Sequence, residues 1–119
     1  MKKIDAPEYV DIGPHRYSVS YGQGAMDRAR VEHESPNSVG KTLFVPNRII
    51  IDPEQAPSQQ RSTLLHEALH AIVFSHGGWW STKAEPMTEE RAILLIEGGL
   101  LELLRRNPHV IKWLTAEAA

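Results

Sequence analysis

The chain has 119 residues, of which 41% are hydrophobic and 24% are charged, as is ordinary for one globular domain. The formal net charge is -2 and like charges form no blocks, so the composition gives no indication of nucleic acid or an anionic membrane as a partner. Since the sequence has no cysteine, disulfides and thiolate metal sites are excluded, and a metal would have to be held by His, Asp or Glu.

The N-terminus reads MKKIDAPEYV and has no continuous apolar stretch, so it does not predict a signal peptide. No stretch approaches the roughly 20 apolar residues that a membrane-spanning helix needs. We therefore expect residues 1–119 to form a single soluble domain in the cytoplasm.

The first half of the sequence favours short strands. Residues 17–21 alternate large apolar with small polar side chains, which predicts a half-buried strand, and the glycines of residues 22–24 predict a turn. Residues 25–40 are polar and weakly patterned, and they predict a loop or a poorly marked strand. Two β-favouring runs follow, at residues 43–45 and 48–51.

The second half favours helices. Ser58 can cap a helix that runs to His76, and the apolar residues nearly surround this helix, which is typical of a buried central helix. Thr88 can cap a second helix, from Glu89 to Arg106, and an apolar cluster in residues 109–119 predicts a short terminal helix. Because strands come first and helices follow, the order predicts an α+β fold.

Residues 66–70 read HEALH, which is an HExxH motif inside the first predicted helix. Four residues advance roughly 400° around a helix, so His66 and His70 project from one face, one turn apart, and can share a metal ion. Glu67 lies about 100° around the helix, beside the metal rather than on it. This position suits a carboxylate that takes a proton from a zinc-activated water.

The alternative is that each histidine is a core residue hydrogen-bonded to the backbone, which is the better interpretation of a lone histidine. Here two histidines and a glutamate would all lie on or beside a largely apolar helix, and an unpaired buried glutamate is strongly destabilising. A metal ion explains why the three occur together. We therefore expect His66 and His70 to be zinc ligands.

The sequence also resembles a known family. The stretch from Gln60 through LLHEALHAI, the later EERAILLIEGGLLELLRRNP and the opening IGPHRYSV look like the small HExxH metallopeptidase-like proteins of phages and prophages, distant relatives of the ImmA/IrrE and SprT-like zinc peptidases. The resemblance implies a minimal zincin-like domain: a small antiparallel or mixed sheet, a central HExxH helix and a second long helix. It also implies that residues 43–51 supply strands beside the cleft, where an extended peptide can pair with the backbone.

Several residues compete for the place of a third protein ligand: His76, Glu89, Glu90 and Glu97. His76 follows His70 by six residues, the metzincin spacing, but Val73 stands where metzincins have the glycine that lets the chain turn back. If the helix instead continues to His76, that side chain begins about 9 Å further along the axis, too far for a zinc bond of about 2.1 Å.

A glutamate from the second helix would give the His₂Glu ligand set of gluzincin-type sites. Helical geometry lets both Glu89 and Glu90 approach the buried face, while Glu97 lies deeper. The resemblance aligns Glu90 with the family's ligand, although Ile93 stands where the family has a small residue. Glu90 is the predicted third ligand, followed by Glu89 and then His76.

These expectations combine into a zinc-dependent metallopeptidase that hydrolyses a peptide bond in a protein or peptide substrate, with Glu67 as general base. The alternative is a non-catalytic, zinc-stabilised protein-binding module. Glu67 discriminates between the two, because a purely structural zinc site normally has four protein ligands and does not need a carboxylate beside an open position.

Overall fold

The computed structural model describes residues 4–75 and 88–116. Within these ranges the chain forms four strands and four helices: β1 (Tyr9–Ile12), β2 (His15–Ser20), α1 (Gln23–Glu32), β3 (Gly40–Phe44), β4 (Asn47–Ile51), α2 (Pro57–Ser75), α3 (Glu89–Arg106) and α4 (Pro108–Leu114). None of the helices in these ranges has the length and apolar character required to cross a bilayer.

The four strands form one mixed sheet in the order β1-β2-β4-β3. Two hairpins supply the antiparallel pairs, β1 with β2 and β3 with β4, and the central pair of β2 and β4 is parallel. The prediction of an α+β fold with a small mixed sheet is thus confirmed. In this order β1 and β3 are the two outer strands.

The two faces of the sheet pack against different helices. Alternate residues of β4 separate the faces: Ile49 and Ile51 join the main core, while Ile50 packs with α1. The main core also contains Leu64 and Ile72 of α2, and α3 and α4 add Leu103, Val110 and Trp113. Helix α2 therefore lies in the centre of one face, with β3 along its side.

Residues 25–40, predicted as a loop or a poorly marked strand, instead contain most of helix α1, which begins at Gln23 within the predicted turn of residues 22–24. Its buried face consists of Ala25, Met26 and Ala29, too few large apolar residues to give a clear helical period, and Gly22 supplies no side-chain cap. Packing against Ile50 stabilises the helix, since short helices in proteins depend mainly on tertiary contacts. Strand β1, where only Val10 and Ile12 are buried, was also missed.

The later helices agree with their predicted positions. Helix α2 begins at Pro57, one residue before the predicted cap Ser58, and the predicted end at His76 lies outside the described residues. The Thr88 side chain accepts a hydrogen bond from the backbone N–H of Arg91 at 3.2 Å, which confirms its cap of α3. The short terminal helix is α4.

The side chain of Asn107, between α3 and α4, covers the outer edge of β1. Its Oδ1 accepts from the backbone N–H of Asp11 at 2.7 Å, and its Nδ2 donates to the Asp11 carbonyl at 2.8 Å and to the Leu103 carbonyl at 3.0 Å. The His109 Nε2 also lies 2.9 Å from the Tyr9 carbonyl oxygen. The fully buried Asn107 amide thus takes the place of a neighbouring strand.

Candidate metal centre

Helix α2 brings the two histidines of the HExxH motif together on its exposed face. The Nε2 atoms of His66 and His70 are 3.1 Å apart, and their ring centroids are 4.8 Å apart with an interplanar angle of 81°. This is the one-turn pairing predicted from the spacing, and the two side chains converge on one point in front of the helix.

The donor pair fits a metal ion. At a tetrahedral site with Zn–N bonds of about 2.0–2.1 Å, two imidazole nitrogens lie roughly 3.4 Å apart, close to the distance between the two Nε2 atoms. Neutral imidazoles offer one lone pair each, and both can point at the same ion. His66, Glu67 and His70 have ligand atoms within 4.8 Å of one another, close enough to bind a metal ion.

Glu67 points to the side of α2, toward the outer strand β3. Its side chain is buried, and its Oε1 accepts a hydrogen bond from the Thr42 hydroxyl at 2.8 Å. Its Oε2 lies 4.0 Å from the Nε2 of His66. The carboxylate is therefore partnered at one oxygen, while the other oxygen lies beside the histidine pair.

Gly40 allows β3 to approach α2 at Glu67. A Cβ built at Gly40 would lie 2.5 Å from Cγ2 of Thr63 and 3.2 Å from Oε2 of Glu67. The first distance is far below the roughly 3.5–4.0 Å at which carbon atoms normally pack. Because Gly40 and Thr42 are two residues apart on a strand, they present the same face to the helix.

The site opens into a groove that follows α2 and β3. Two adjoining hollows of about 410 and 330 Å³ share Ser38, Gly40, His66 and Glu67 in their walls. One hollow extends past Asn37 and Ser62 and the other past Thr42 and His70. Glu67 therefore lies near the middle of the groove, not at a closed end.

An aromatic pair lies beyond His70 on the same side of the sheet. The rings of Phe44 and Phe74 are stacked, with centroids 4.0 Å apart and an interplanar angle of 14°. Phe44 also lines the second hollow. The pair joins the end of β3 to the last turn of α2, and Phe44 gives this part of the groove an apolar surface.

The predicted third ligand is not part of this group. Glu89 and Glu90 are exposed in the first turn of α3, and Glu97 is exposed further along the same helix. Among the described residues, the group within 4.8 Å contains His66, Glu67 and His70 and does not include Glu90. His76 lies outside the described residues, so the choice between these ligands stays a prediction.

Two residues of the site were not predicted, namely Thr42 and Gly40. The β-favouring run was placed at residues 43–45, whereas β3 begins at Gly40. If the strand had been predicted to begin at Gly40, the alternation of side chains would have placed Gly40, Thr42 and Phe44 on one face. The signal was therefore in the sequence, but a glycine and a lysine at the start of the run obscured it.

Comparison with protein families, with curated proteins and with solved structures finds no match for this chain. The resemblance to phage HExxH metallopeptidase-like proteins therefore remains a prediction, and the function has to be argued from the site itself.

Proposed function

We propose that this protein is a zinc-dependent endopeptidase in which His66 and His70 bind the metal and Glu67 is the general base. The observation that carries the proposal is the pairing of two converging imidazoles with a buried carboxylate whose Oε2 lies beside them. Imidazole nitrogens suit zinc, and an exposed pair with a neighbouring carboxylate is typical of a catalytic zinc site rather than a closed structural one.

A bound zinc ion would act as a Lewis acid. It would polarise the scissile carbonyl and lower the pKa of a water molecule to about 7. Glu67 takes a proton from that water through Oε2 while the water oxygen attacks the carbonyl carbon. Glu67 then gives that proton to the amide nitrogen as the C–N bond breaks. The second proton of the water passes from the new carboxyl group to the released amine, so the products are a carboxylate and an ammonium group. Burial beside β3 keeps the carboxylate in place between the two proton transfers.

The shape of the groove favours a substrate that is an extended peptide, cleaved at a peptide bond away from its ends. The hollows lie on both sides of Glu67, so a peptide can extend past it in both directions. The outer strand β3 borders the groove, and extended peptides commonly bind beside such strands by backbone pairing.

We propose Glu90 as the third metal ligand, which would complete a His₂Glu set.

The first experiment measures metal content and affinity. Wild type is expected to carry about one zinc per chain and to melt at a lower temperature after chelation, since a ligand that binds the native state stabilises it. The His66→Ala and His70→Ala variants should lose zinc. The neighbouring variants Glu90→Ala and Glu89→Ala test the third ligand, because only the true ligand should lower zinc affinity strongly. Normal zinc affinity in Glu90→Ala would refute that assignment.

The second experiment separates catalysis from binding. Glu67→Gln is expected to retain zinc and to lose at least about 100-fold in turnover, as is usual for a general base. The assay counts new N-termini in a denatured cell proteome by mass spectrometry. Glu32→Gln, at an exposed residue at the end of α1, is the matched control. If neither wild type nor Glu67→Gln cleaves any protein, and both bind the same cellular protein to the same extent, the protein is a zinc-stabilised binding module.

A further inference from the structure

The hydroxyl of Thr42 donates a hydrogen bond to the carboxylate of the proposed base. Its Oγ1 lies 2.8 Å from Oε1 of Glu67, and it also lies 3.0 Å from the backbone carbonyl oxygen of the same residue. Thr42 is half-buried on the outer strand β3, which lies against α2. The contact therefore joins the outer strand to the helix that carries the HExxH motif, across 25 residues of sequence.

We propose that Thr42 is a positioning residue that fixes which oxygen of Glu67 serves as the base. With Oε1 accepting from the Thr42 hydroxyl, Oε2 is the oxygen left beside His66, 4.0 Å from its Nε2. A glutamate side chain otherwise has three rotatable bonds, and holding a reacting group in one orientation is a large part of catalysis. This inference rests on the proposed function and adds a residue outside the HExxH motif to it.

A purely structural role is the competing explanation. The hydroxyl has one proton and two nearby acceptors, so it can donate to the Glu67 carbonyl and merely hold β3 against the helix. The carboxylate is the better acceptor, because its contact is shorter and a bond to a charged oxygen is stronger than one to a neutral carbonyl. Burial of Glu67 strengthens this preference, since few water molecules can replace the hydroxyl there.

Gly40 supports the same orientation from the other side. A Cβ at that position would lie 3.2 Å from Oε2 and 3.1 Å from Cγ of Glu67, so the missing side chain leaves room for the free oxygen. Thr42 thus holds one oxygen while Gly40 leaves space beside the other. Strand β3 shapes both sides of the carboxylate, although the motif itself lies on α2.

The test compares Thr42→Val, which removes the hydroxyl and keeps the shape, with Thr42→Ser, which keeps the hydroxyl. Thr115→Val is the control, because the Thr115 hydroxyl donates to the Ile111 carbonyl on α4, which carries no site residue. Each protein is loaded with zinc and titrated with acetohydroxamic acid, a metal-binding molecule that releases a proton on binding. Under the proposed function Glu67 accepts that proton, so the orientation of Glu67 is expected to affect the affinity.

Thr42→Val is expected to bind acetohydroxamic acid about tenfold more weakly than wild type, the effect of losing one hydrogen bond to a charged group. Thr42→Ser and Thr115→Val should bind it within about threefold of wild type, and all three variants should keep the zinc affinity of wild type. If Thr42→Val does not fold, Thr42→Ala provides the same measurement without the added methyl group.

Two results would overturn the inference in distinguishable ways. If Thr42→Val melts at a lower temperature but binds acetohydroxamic acid as wild type does, while Glu67→Gln binds it weakly, Thr42 has a structural role only. If wild type binds no zinc at all, the proposed function fails and the inference fails with it.

Discussion

The close approach of β3 and α2 at Gly40 can be tested by adding a single methyl group. In Gly40→Ala the new Cβ would lie 2.5 Å from Cγ2 of Thr63, and further contacts at 3.1 and 3.2 Å would involve Glu67. Thr63 is buried and its hydroxyl donates to Oε1 of Gln55 at 3.1 Å, so its side chain has little freedom to move away. The strand or the helix must shift instead, and overpacking of this kind costs about 1–3 kcal/mol.

The expected change in melting temperature follows from the size of the chain. At roughly 2.1 cal/mol/K per residue, the 119 residues give an unfolding entropy of about 250 cal/mol/K, so 1 kcal/mol corresponds to about 4 °C. A cost of about 2–3 kcal/mol, the upper part of the range, therefore lowers the melting temperature of Gly40→Ala by about 8–12 °C. Thermal unfolding followed by circular dichroism measures this difference.

Two further variants make the test specific. Gly98 is exposed on α3 and a Cβ there would have no neighbour within 4 Å, so Gly98→Ala should instead raise the melting temperature, by about 2–4 °C. Thr63→Ser removes the methyl group that the new Cβ would meet, and in combination with Gly40→Ala it should restore much of the lost stability. The difference between the stability change of the double variant and the sum of the two single changes gives the interaction energy between the new methyl group and the Thr63 methyl group.

The reasoning would be refuted if Gly40→Ala melted within about 2 °C of wild type, since this would mean that β3 moves away from α2 at negligible cost. It would also be refuted if the double variant were less stable than Gly40→Ala, because the clash would then not involve Thr63.

Two other predictions concern parts of the fold away from the site. Asn107→Ala should lower the free energy of unfolding by about 2–4 kcal/mol, because it removes the partner of the part-buried backbone N–H and carbonyl of Asp11 and of the buried carbonyl of Leu103, and chemical denaturation measures this loss. Burial raises the pKa of Tyr21 in the folded protein. The neutral hydroxyl therefore makes its full contribution to the free energy of unfolding below a pH of about 10, and this contribution decreases as the pH rises above that value. Tyr21→Phe, which loses the bond to the Pro7 carbonyl, should be less stable than wild type at neutral pH, and the difference should narrow above a pH of about 10; a constant difference would contradict this.

The sequence predicted the helices that carry strong local signals. Thr88 caps α3 as expected, and the spacing of His66 and His70 was sufficient to place both imidazoles on one face of α2. These features depend on residues within one or two helical turns of each other. Such local geometry does not require knowledge of the rest of the fold.

The parts that were missed depend on contacts between distant residues. Helix α1 has a small apolar face and no side-chain cap, and it becomes stable only by packing against Ile50 and Leu43. The bond from Thr42 to Glu67 spans 25 residues and requires β3 to lie at one register beside α2. Alternation shows which residues of β3 share a face, but it does not show where that face lies along α2, because this depends on how the two hairpins pair in the sheet.

The two outer strands of the sheet differ in a way that affects how copies of the protein can interact. At β1 the Asn107 side-chain amide hydrogen-bonds to both the N–H and the carbonyl of Asp11. Another chain could therefore pair with this strand only after displacing a buried side chain. At β3 the groove and the outer strand lie side by side, so two molecules that paired through β3 would each cover the other's groove. Self-association would then compete with any peptide that binds along the same strand, and the proposed peptidase activity per molecule would fall as the protein concentration rises.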